Sequence, residues 1–229
     1  MSKQLRIWLF ALLGTLLTST SLLAEGVITM TTSKTVGKTI KLKIEAYGSV
    51  SIDGVRESAR TDGYEYYTLT SQTITIRGNV TKLDCSYNQL TSLDVSKNTA
   101  LTRLWCFNNQ LTSLDVSKNT ALTVLACSNN QLTSFDVSKN TDLDMLDCSD
   151  NKLTSLNLSG CARLEMLFCA SNYIKGKAMT KLVNSLPNRK GMSYGTIFPV
   201  KIPSGEMDKN RCSTADITTA NRKNWKVRQ

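Results

Sequence analysis

The sequence predicts a mostly β, right-handed solenoid of about five coils, each 21 residues long, with a cap at both ends. Two observations predict it. A nearly identical phrase recurs every 21 residues between Leu83 and Ile174, and every copy has a leucine and a cysteine at alternate positions. The flanking segments lack this phrase but carry apolar patterns of their own. A fixed period in this range is typical of stacked units, because each unit buries its apolar side only against its neighbours.

The first 24 residues have the three parts of a secretory signal peptide. Lys3 and Arg6 form a basic start, residues 7–17 are apolar, and Ala24 stands at a suitable cleavage point. The apolar run is too short to span a bilayer comfortably, although a signal anchor that stays attached is the alternative. We therefore expect an exported mature chain without a transmembrane segment, which is secreted, periplasmic or held on the outer cell surface.

Residues 25–82 are expected to form a β-rich N-terminal cap. The stretches VITMTTSKTVGKTIKLKIEAYGSVSIDGV and YEYYTLTSQTITIRG alternate polar with apolar or β-branched residues and contain glycine turns. That alternation is typical of short strands with one buried face. A cap is required because the first coil would otherwise expose its apolar edge.

Residues 83–174 contain the repeats, whose copies begin at Leu83, Leu104, Leu125, Leu146 and Leu167. The stretch LTRLWCFNNQL matches the form L-x-x-L-x-L-x-x-N-x-L, with Cys106 in place of the third leucine. This form is the signature of a leucine-rich repeat. In parallel strands about 4.8 Å apart, alternate side chains point inward, so equivalent residues of successive copies are expected to stack.

Two structural ladders follow from this stacking. Cysteine behaves as a small apolar residue in a narrow core, and an inward asparagine can satisfy backbone groups of its own and the adjacent coil. Substitutions of these asparagines are expected to damage folding rather than binding. The cysteine ladder is Cys85, Cys106, Cys127, Cys148 and Cys169, and the asparagine ladder is Asn88, Asn109, Asn130, Asn151 and Asn172.

The second half of each copy repeats the apolar spacing, first at Leu93 and Val95. This spacing predicts a second strand-like edge in each coil. The residues expected to turn this edge are Asn98, Asn119 and Asn140, with Cys161 in the fourth copy.

Residues 175–229 are expected to form a C-terminal cap that contains helices. The stretch IKGKAMTKLVNSLP places its apolar residues on one helical face and ends at Pro187. A second short helix is predicted after Ser213, because Asp216 stands three residues later and completes an approximate capping box.

The formal net charge of +10 is distributed unevenly. Residues 25–82 carry 8 basic and 6 acidic side chains, residues 83–174 carry 6 and 9, and residues 175–229 carry 12 and 3, which gives +2, −3 and +9. No basic helix is interleaved with aromatic residues, so nucleic acid is not an expected partner. The basic C-terminal segment suits solubility or contact with an anionic surface.

The chain contains no histidine, which removes serine–histidine and cysteine–histidine nucleophile pairs and the commonest metal ligand. We expect no cofactor and no metal, because the cysteines form no C-x-x-C pair and lysines offset the outward aspartates that could bind calcium. Disulfides stay an alternative in an exported chain. Reduced core cysteines are favoured, and Cys161 or Cys212 is the candidate for an exception. The protein is therefore predicted not to be an enzyme.

The outward positions of the first strand are the candidate binding residues, because the repeat pattern frees them from packing. Large apolar side chains where polar ones are expected indicate a contact surface. The alternative is that Met166 and Phe168 lie under the C-terminal cap, while Trp105 and Phe107 form an isolated surface cluster. The predicted contact residues are Trp105, Phe107, Met145, Met166 and Phe168, with Arg103, Asp84 and Asp147 for polar selectivity.

The copies resemble those of the secreted leucine-rich repeat proteins of Bacteroidetes, which commonly read LDCSxNQLTSLDVSxNTAL. The resemblance covers residues 83–174 and extends more weakly to ITMTTSKTVGKTIKLKI, AMTKLVNSLPNR and ITTANRKNWKV. It implies a cell-surface or secreted interaction protein, with some likeness to internalin-type repeat domains, and it names no ligand.

The predicted function is non-catalytic binding of an extracellular protein or glycan by a monomer. One alternative is a structural spacer or envelope protein whose basic C-terminal segment binds anionic polymers or lipid headgroups. The other is an enzyme that uses carboxylates alone. However, Asp84 and Asp147 lie three coils apart, about 14 Å, which exceeds the separations used for glycoside hydrolysis.

Overall fold

The computed structural model describes residues 26–199 and 210–228, and the predicted signal peptide lies outside them. Within these residues the chain forms twelve strands and two helices. In chain order they are β1 (Val27–Thr32), β2 (Thr39–Asp53), β3 (Val55–Thr61), β4 (Tyr64–Leu69), β5 (Thr73–Asp84), β6 (Leu90–Lys97), β7 (Arg103–Trp105), β8 (Val124–Ala126), β9 (Met145–Asp147), β10 (Met166–Phe168), α1 (Lys177–Ser185), β11 (Gly195–Phe198), α2 (Thr214–Arg222) and β12 (Trp225–Val227).

Seven of the described strands form a parallel sheet along the solenoid, in the order β5, β7, β8, β9, β10, β11 and β12. The repeat sets its register, because the leucines at 83, 104, 125, 146 and 167 lie side by side. These leucines are fully buried. The predicted leucine-rich repeat solenoid, mostly β and with helices near its C-terminal end, is therefore confirmed.

Strand β5 joins the N-terminal strands to the first coil without a break. The strand pairs antiparallel with β2 along its length and with β1 in its first half, and its last residues, Lys82 to Asp84, also pair with β7 in parallel. Leu83 therefore lies between Ile44 on one side and Leu104 on the other. Strands β4 and β3 extend the sheet beyond β2. Because β5 belongs to both parts, one apolar core continues from the N-terminal strands into the coils.

The second edge predicted for every coil is a strand only in the first coil of the described chain, as β6. There it pairs antiparallel with β1, whereas the later copies have no such neighbour and turn instead. Of the two forms expected for this edge, strand or strand-like, the true strand is thus confined to the first described coil. The inward side chains of these turns are nevertheless buried, namely Val116, Val137 and Leu158.

The C-terminal segment adds two strands that the repeat pattern does not predict. Strand β11 pairs in parallel with β10, and β12 pairs in parallel with β11. Ile197 and Val227 continue the leucine row, and Ile197 is 1% exposed. The parallel sheet thus runs past the last repeat, although the spacing of 21 residues has ended.

Both predicted C-terminal helices are present. Helix α1 buries Met179, Leu182 and Val183. Helix α2 begins with a complete capping box, because the Ser213 side chain accepts from the Asp216 backbone N–H and the Asp216 carboxylate accepts from the Ser213 backbone N–H. No described helix has the length and apolar character needed to cross a membrane.

The cysteine ladder lies in the core. Its five residues are fully buried, and all seven cysteines of the chain are free thiols, including Cys161 and Cys212. Burial raises the pKa of the Cys106, Cys127 and Cys148 thiols well above the ordinary value. Because thiolate is the reactive form, these side chains act as packing groups.

The asparagine ladder connects each coil to the coil before it. The Asn109 Oδ1 atom accepts from the backbone N–H groups of Asn88 (3.1 Å) and Leu90 (2.9 Å). Its Nδ2 group donates to the carbonyl oxygens of Cys85 (3.1 Å) and Cys106 (3.0 Å). Asn130, Asn151 and Asn172 each accept from one backbone N–H, of Leu111, Leu132 and Leu153, and donate to two cysteine carbonyl oxygens as Asn109 does. The carboxamides therefore satisfy buried backbone groups that the tight turn leaves unpaired.

The ladder has a further member that the sequence did not reveal, Asn210. Its Oδ1 atom accepts from the Ile174 backbone N–H at 2.8 Å. Its Nδ2 group donates to the carbonyl oxygens of Cys169 and Pro199, both at 2.7 Å. At the other end of the ladder, the Asn88 carboxamide bonds to both backbone groups of Lys41 in β2. At both ends of the repeat array, as in its middle, an asparagine carboxamide thus bonds to backbone N–H and carbonyl groups.

The second row of asparagines, Asn98, Asn119 and Asn140, uses its carboxamides as donors only. Asn119 Nδ2 donates to the carbonyl oxygens of Val95 (3.0 Å) and Asn98 (2.8 Å). The Oδ1 atoms of Asn98, Asn119 and Asn140 are buried and have no hydrogen-bond partner among the described residues. In the fourth copy, Cys161 Sγ donates to Val137 O at 3.5 Å. Cysteine thus supplies the donor without leaving an acceptor unpaired.

We predict that the two asparagine rows tolerate cysteine differently. Asn109→Cys leaves the backbone N–H groups of Asn88 and Leu90 unpaired, so it should lower the free energy of unfolding by about 2–5 kcal/mol. Asn119→Cys reproduces the Cys161 arrangement and should cost less than about 1 kcal/mol. Urea unfolding under reducing conditions measures both values, with Thr112→Ala as the exposed control. Equal losses at the two positions would contradict this assignment.

Candidate binding face

The parallel strands present two rows of side chains away from the core, one on each side of the leucine row. We call these two rows the outward face. Residues in one row are in register, so neighbours along it are one strand spacing apart, about 4.8 Å. The row before the leucines is Lys82, Arg103, Val124, Met145, Met166, Thr196 and Lys226, and the row after them is Asp84, Trp105, Ala126, Asp147, Phe168 and Phe198.

The middle and C-terminal part of the outward face is mainly apolar, apart from Asp147, Thr196 and Lys226. Met145 and Phe168 are half-buried, whereas Met166 is 42% exposed. The Phe168 ring stacks on the Phe198 ring, with centroids 4.6 Å apart and planes 5° apart. The C-terminal segment thus partly covers Phe168, as the alternative interpretation expected, but it leaves Met166 accessible.

Two of the predicted polar contact residues already have partners inside the protein. Asp84 accepts from the Tyr64 hydroxyl at 2.6 Å and from the Ser86 backbone N–H at 3.0 Å. Asp147 accepts from the Ser149 hydroxyl at 2.6 Å and from its backbone N–H at 3.1 Å. These bonds hold both carboxylates in place locally. Arg103 has an exposed side chain on the same face.

An aromatic cluster at the N-terminal end of the face includes residues that sequence reasoning missed. The Tyr87 and Phe107 rings meet edge to face, with centroids 5.3 Å apart. Lys41 Nζ lies 5.1 Å from the Tyr87 ring centroid and 4.8 Å from that of Tyr64. Trp105 is half-buried beside Asp84 in the neighbouring strand. Tyr64 and Lys41 belong to strands before the repeats, so the repeat pattern could not identify them.

Tyr87 occupies a turn position with a left-handed backbone. Its φ is 61°, while the equivalent residues of the later coils have φ between 51° and 54°. This conformation costs an L-residue about 1–2 kcal/mol, and asparagine or aspartate tolerates it best. Tyrosine is therefore an unusual residue at this position. Its departure from the repeat is the signal in the sequence that could have identified Tyr87 as a candidate site residue. The equivalent residues are Asn108, Asn129, Asp150 and Ser171.

A shallow groove of about 370 Å³ lies beside Tyr87, at the edge where the chain turns after each strand. We call it the amide groove, because every other residue that lines it carries a carboxamide. The Nδ2 group of Asn129 donates to Asn108 Oδ1, which links two coils along the groove. The lining residues are Tyr87, Gln89, Asn108, Asn109, Gln110 and Asn129.

Some of the basic C-terminal residues are used inside the fold. Arg189 is 3% exposed and donates to Leu164 O at 3.0 Å and to the Glu165 carboxylate at 2.8 Å. Lys223 Nζ donates to the carbonyl oxygens of Asn184 and Leu186, at the end of α1, and burial lowers its pKa. Part of the positive charge of this segment therefore takes part in hydrogen bonds inside the fold.

Over residues 26–199 and 210–228, no group of three or more histidine, cysteine, aspartate or glutamate side chains is placed to hold a metal ion. The outward aspartates of the second half instead bond locally. Asp94, Asp115 and Asp136 each accept from the backbone N–H two residues later, at 2.8–2.9 Å.

Comparison with known proteins identifies the repeats. The family model described as Leucine Rich repeats (2 copies) matches residues 78–119 and 99–140. No curated protein matches the chain.

Three solved structures illustrate the similarity. The functional domain of InlJ from Listeria monocytogenes, described as including a cysteine ladder, has 26% identity, covers 69% of this chain and 42% of its own, and gives a TM-score of 0.46. The internalin InlF from Listeria monocytogenes has 20% identity, coverages of 58% and 36%, and a TM-score of 0.46. A leucine-rich repeat protein from Leptospira interrogans has 18% identity, coverages of 59% and 38%, and a TM-score of 0.37. The chain thus spans less than half of each of these solved chains.

We predict an unusual titration for Tyr64, whose pKa is raised to about 12, mainly by its hydrogen bond to Asp84. Because the folded-state pKa lies above the unfolded value, this bond stabilises the fold below about pH 10, and that stability is lost as the pH rises through the folded pKa. Ultraviolet titration of tyrosinate, as the difference between wild type and Tyr64→Phe, measures the value. Asp84→Asn should return the pKa toward 10. An ordinary pKa for Tyr64 in the wild type would contradict the bond.

Proposed function

Because the chain folds as a leucine-rich repeat solenoid, typically a non-enzymatic scaffold for protein–protein interaction, we propose that it binds an extracellular protein through the outward face. The observation that carries the proposal is the apolar stretch from Val124 to Phe198, with Met166 42% exposed at its centre. Exposed apolar side chains that adjoin one another on a flat surface are typical of contact sites.

The composition of the face supports a protein partner. Tryptophan, phenylalanine, methionine and arginine are enriched in protein interfaces, and the face carries all four. Trp105, Met145, Met166 and Phe168 would form the apolar contacts. Arg103 lies on the same strand as Trp105, and the exposed Lys226 lies at the C-terminal end of the face. The bonded carboxylates of Asp84 and Asp147 would present fixed acceptors rather than mobile charges.

Export is part of the same proposal, because the first 24 residues have the form of a signal peptide. Sequencing the N-terminus of the chain after expression in full is expected to give Glu25 as the first residue. A secreted or surface-held chain would meet its partner outside the cytoplasm. A chain that keeps Met1 would contradict cleavage, and a chain found only in the cytoplasm would contradict export.

The second candidate function is attachment to an anionic surface through the basic C-terminal segment. Residues 175–229 hold 12 basic and 3 acidic side chains. Arg189 and Lys223 bond inside the fold, which leaves fewer charges for such contacts. Binding of this kind would fall steeply with salt, because exposed charges are screened within about 10 Å at 0.1 M ionic strength.

The test is a binding screen of the chain against an array of purified extracellular proteins at low and high salt. The double variant Trp105→Ser, Met166→Ser removes two large apolar contacts of the face and should weaken the binding at least tenfold, about 1.4 kcal/mol or more. Met192→Ser is the matched control, since Met192 is 62% exposed and lies outside the two rows of the face. It should leave the affinity unchanged.

Two results would contradict the proposal. One is binding that the double variant retains in full while Met192→Ser loses it. The other is binding that disappears at high salt and is indifferent to all three substitutions, which would transfer the function to the basic segment.

A further inference from the structure

Tyr87 combines an unfavourable backbone with an accessible ring. Its side chain is 55% exposed and its φ is 61°. The coils that follow place Asn108 and Asn129 at this position, where the left-handed conformation is tolerated best. Residues that keep a strained conformation against the local pattern concentrate at binding sites.

The ring is held in place by its neighbours. Phe107 contacts it edge to face, with centroids 5.3 Å apart, and Lys41 Nζ lies 5.1 Å from its centroid. The backbone of Lys41 is itself held, because its N–H and carbonyl both bond to the Asn88 carboxamide. A ring that is immobilised before binding loses little conformational freedom when a ligand stacks on it.

The groove beside the ring offers neutral hydrogen-bonding groups. Its other lining residues are carboxamides, and none of the six lining side chains is charged. The Asn109 carboxamide is already bonded within the ladder, so the groups open to a ligand belong to the other lining residues. The bond from Asn129 Nδ2 to Asn108 Oδ1 leaves Asn108 Nδ2 and Asn129 Oδ1 without a partner among the described residues, so that a donor and an acceptor are available. Carboxamides both donate and accept, as a row of ligand hydroxyls requires.

From this juxtaposition we propose that Tyr87 and the amide groove bind a neutral oligosaccharide, with one sugar ring stacked on Tyr87 and its neighbour bonded to the carboxamides. The groove spans two coil spacings, about 10 Å, between the first and third coils. The absence of charged groups among its lining residues disfavours an anionic polymer. The inference goes beyond the protein-binding proposal, because it uses a different surface and a different class of ligand.

The experiment is isothermal titration of the chain with four neutral hexasaccharides, built from glucose, mannose, xylose and N-acetylglucosamine. At least one should bind, with an affinity that low and high salt leave unchanged. Tyr87→Asn should weaken this binding at least about tenfold. This variant restores the residue type found at Asn108 and Asn129, so it is expected to fold normally, which thermal unfolding verifies.

Three control variants separate the outcomes. Tyr87→Trp keeps a ring and should retain the binding, and Tyr47→Asn removes a tyrosine that is 75% exposed elsewhere and should change nothing. The double variant Trp105→Ser, Met166→Ser should also leave oligosaccharide binding intact. The experiment therefore distinguishes failure of this inference from failure of the protein-binding proposal. The inference is overturned if no hexasaccharide binds, if Tyr87→Asn binds as wild type does, or if high salt abolishes the binding.

Discussion

A buried carboxamide between adjacent coils is the interaction on which the solenoid depends. After each short strand the chain turns sharply and leaves backbone N–H and carbonyl groups inside the protein. One asparagine per coil bonds to these groups, as Asn109 does for Asn88, Leu90 and Cys85. An unpaired buried group costs about 1–3 kcal/mol. The repeat therefore requires asparagine at this position, even where the other residues of the coil vary.

The same requirement explains how the array ends. At the first coil, Lys41 in the N-terminal strands supplies the backbone partners of Asn88. At the last repeat, Asn210 satisfies the Ile174 N–H and the Cys169 carbonyl. Both terminal segments thus do more than cover an apolar edge, because they complete a hydrogen-bond pattern that the repeats leave open.

Structure and recognition use different positions of the coil. The leucine, cysteine and asparagine positions are buried and identical or nearly so from copy to copy, hence they carry packing and hydrogen bonds. The outward positions and the left-handed turn position vary, and they hold the exposed Met166 and Tyr87. The two proposed sites therefore follow from where the solenoid leaves side chains free, with Phe107 in contact with Tyr87 where the two surfaces meet.

The sequence predicts those features that short-range spacing controls. The leucine register and α2 could be predicted, because a fixed period sets the first and the Ser213 capping box the second. Asn210 could not, since it follows Pro199 by eleven residues and only the fold brings it to the ladder. The bond from Tyr64 to Asp84 likewise joins distant segments. Comparison of the copies identifies Tyr87 as an exception to the repeat. That the exception is strained follows only from the left-handed backbone conformation, which the structure shows.

Hydrogen exchange of backbone amides, followed residue by residue, tests the role of the carboxamides most directly. The amides of Leu90, Leu111, Leu132, Leu153 and Ile174 each donate to an asparagine Oδ1 atom at 2.8–3.0 Å. All of them, including Ile174, should exchange only by unfolding of the solenoid. Exchange of the Ile174 amide as fast as that of the exposed Thr112 would contradict the extension of the ladder to Asn210.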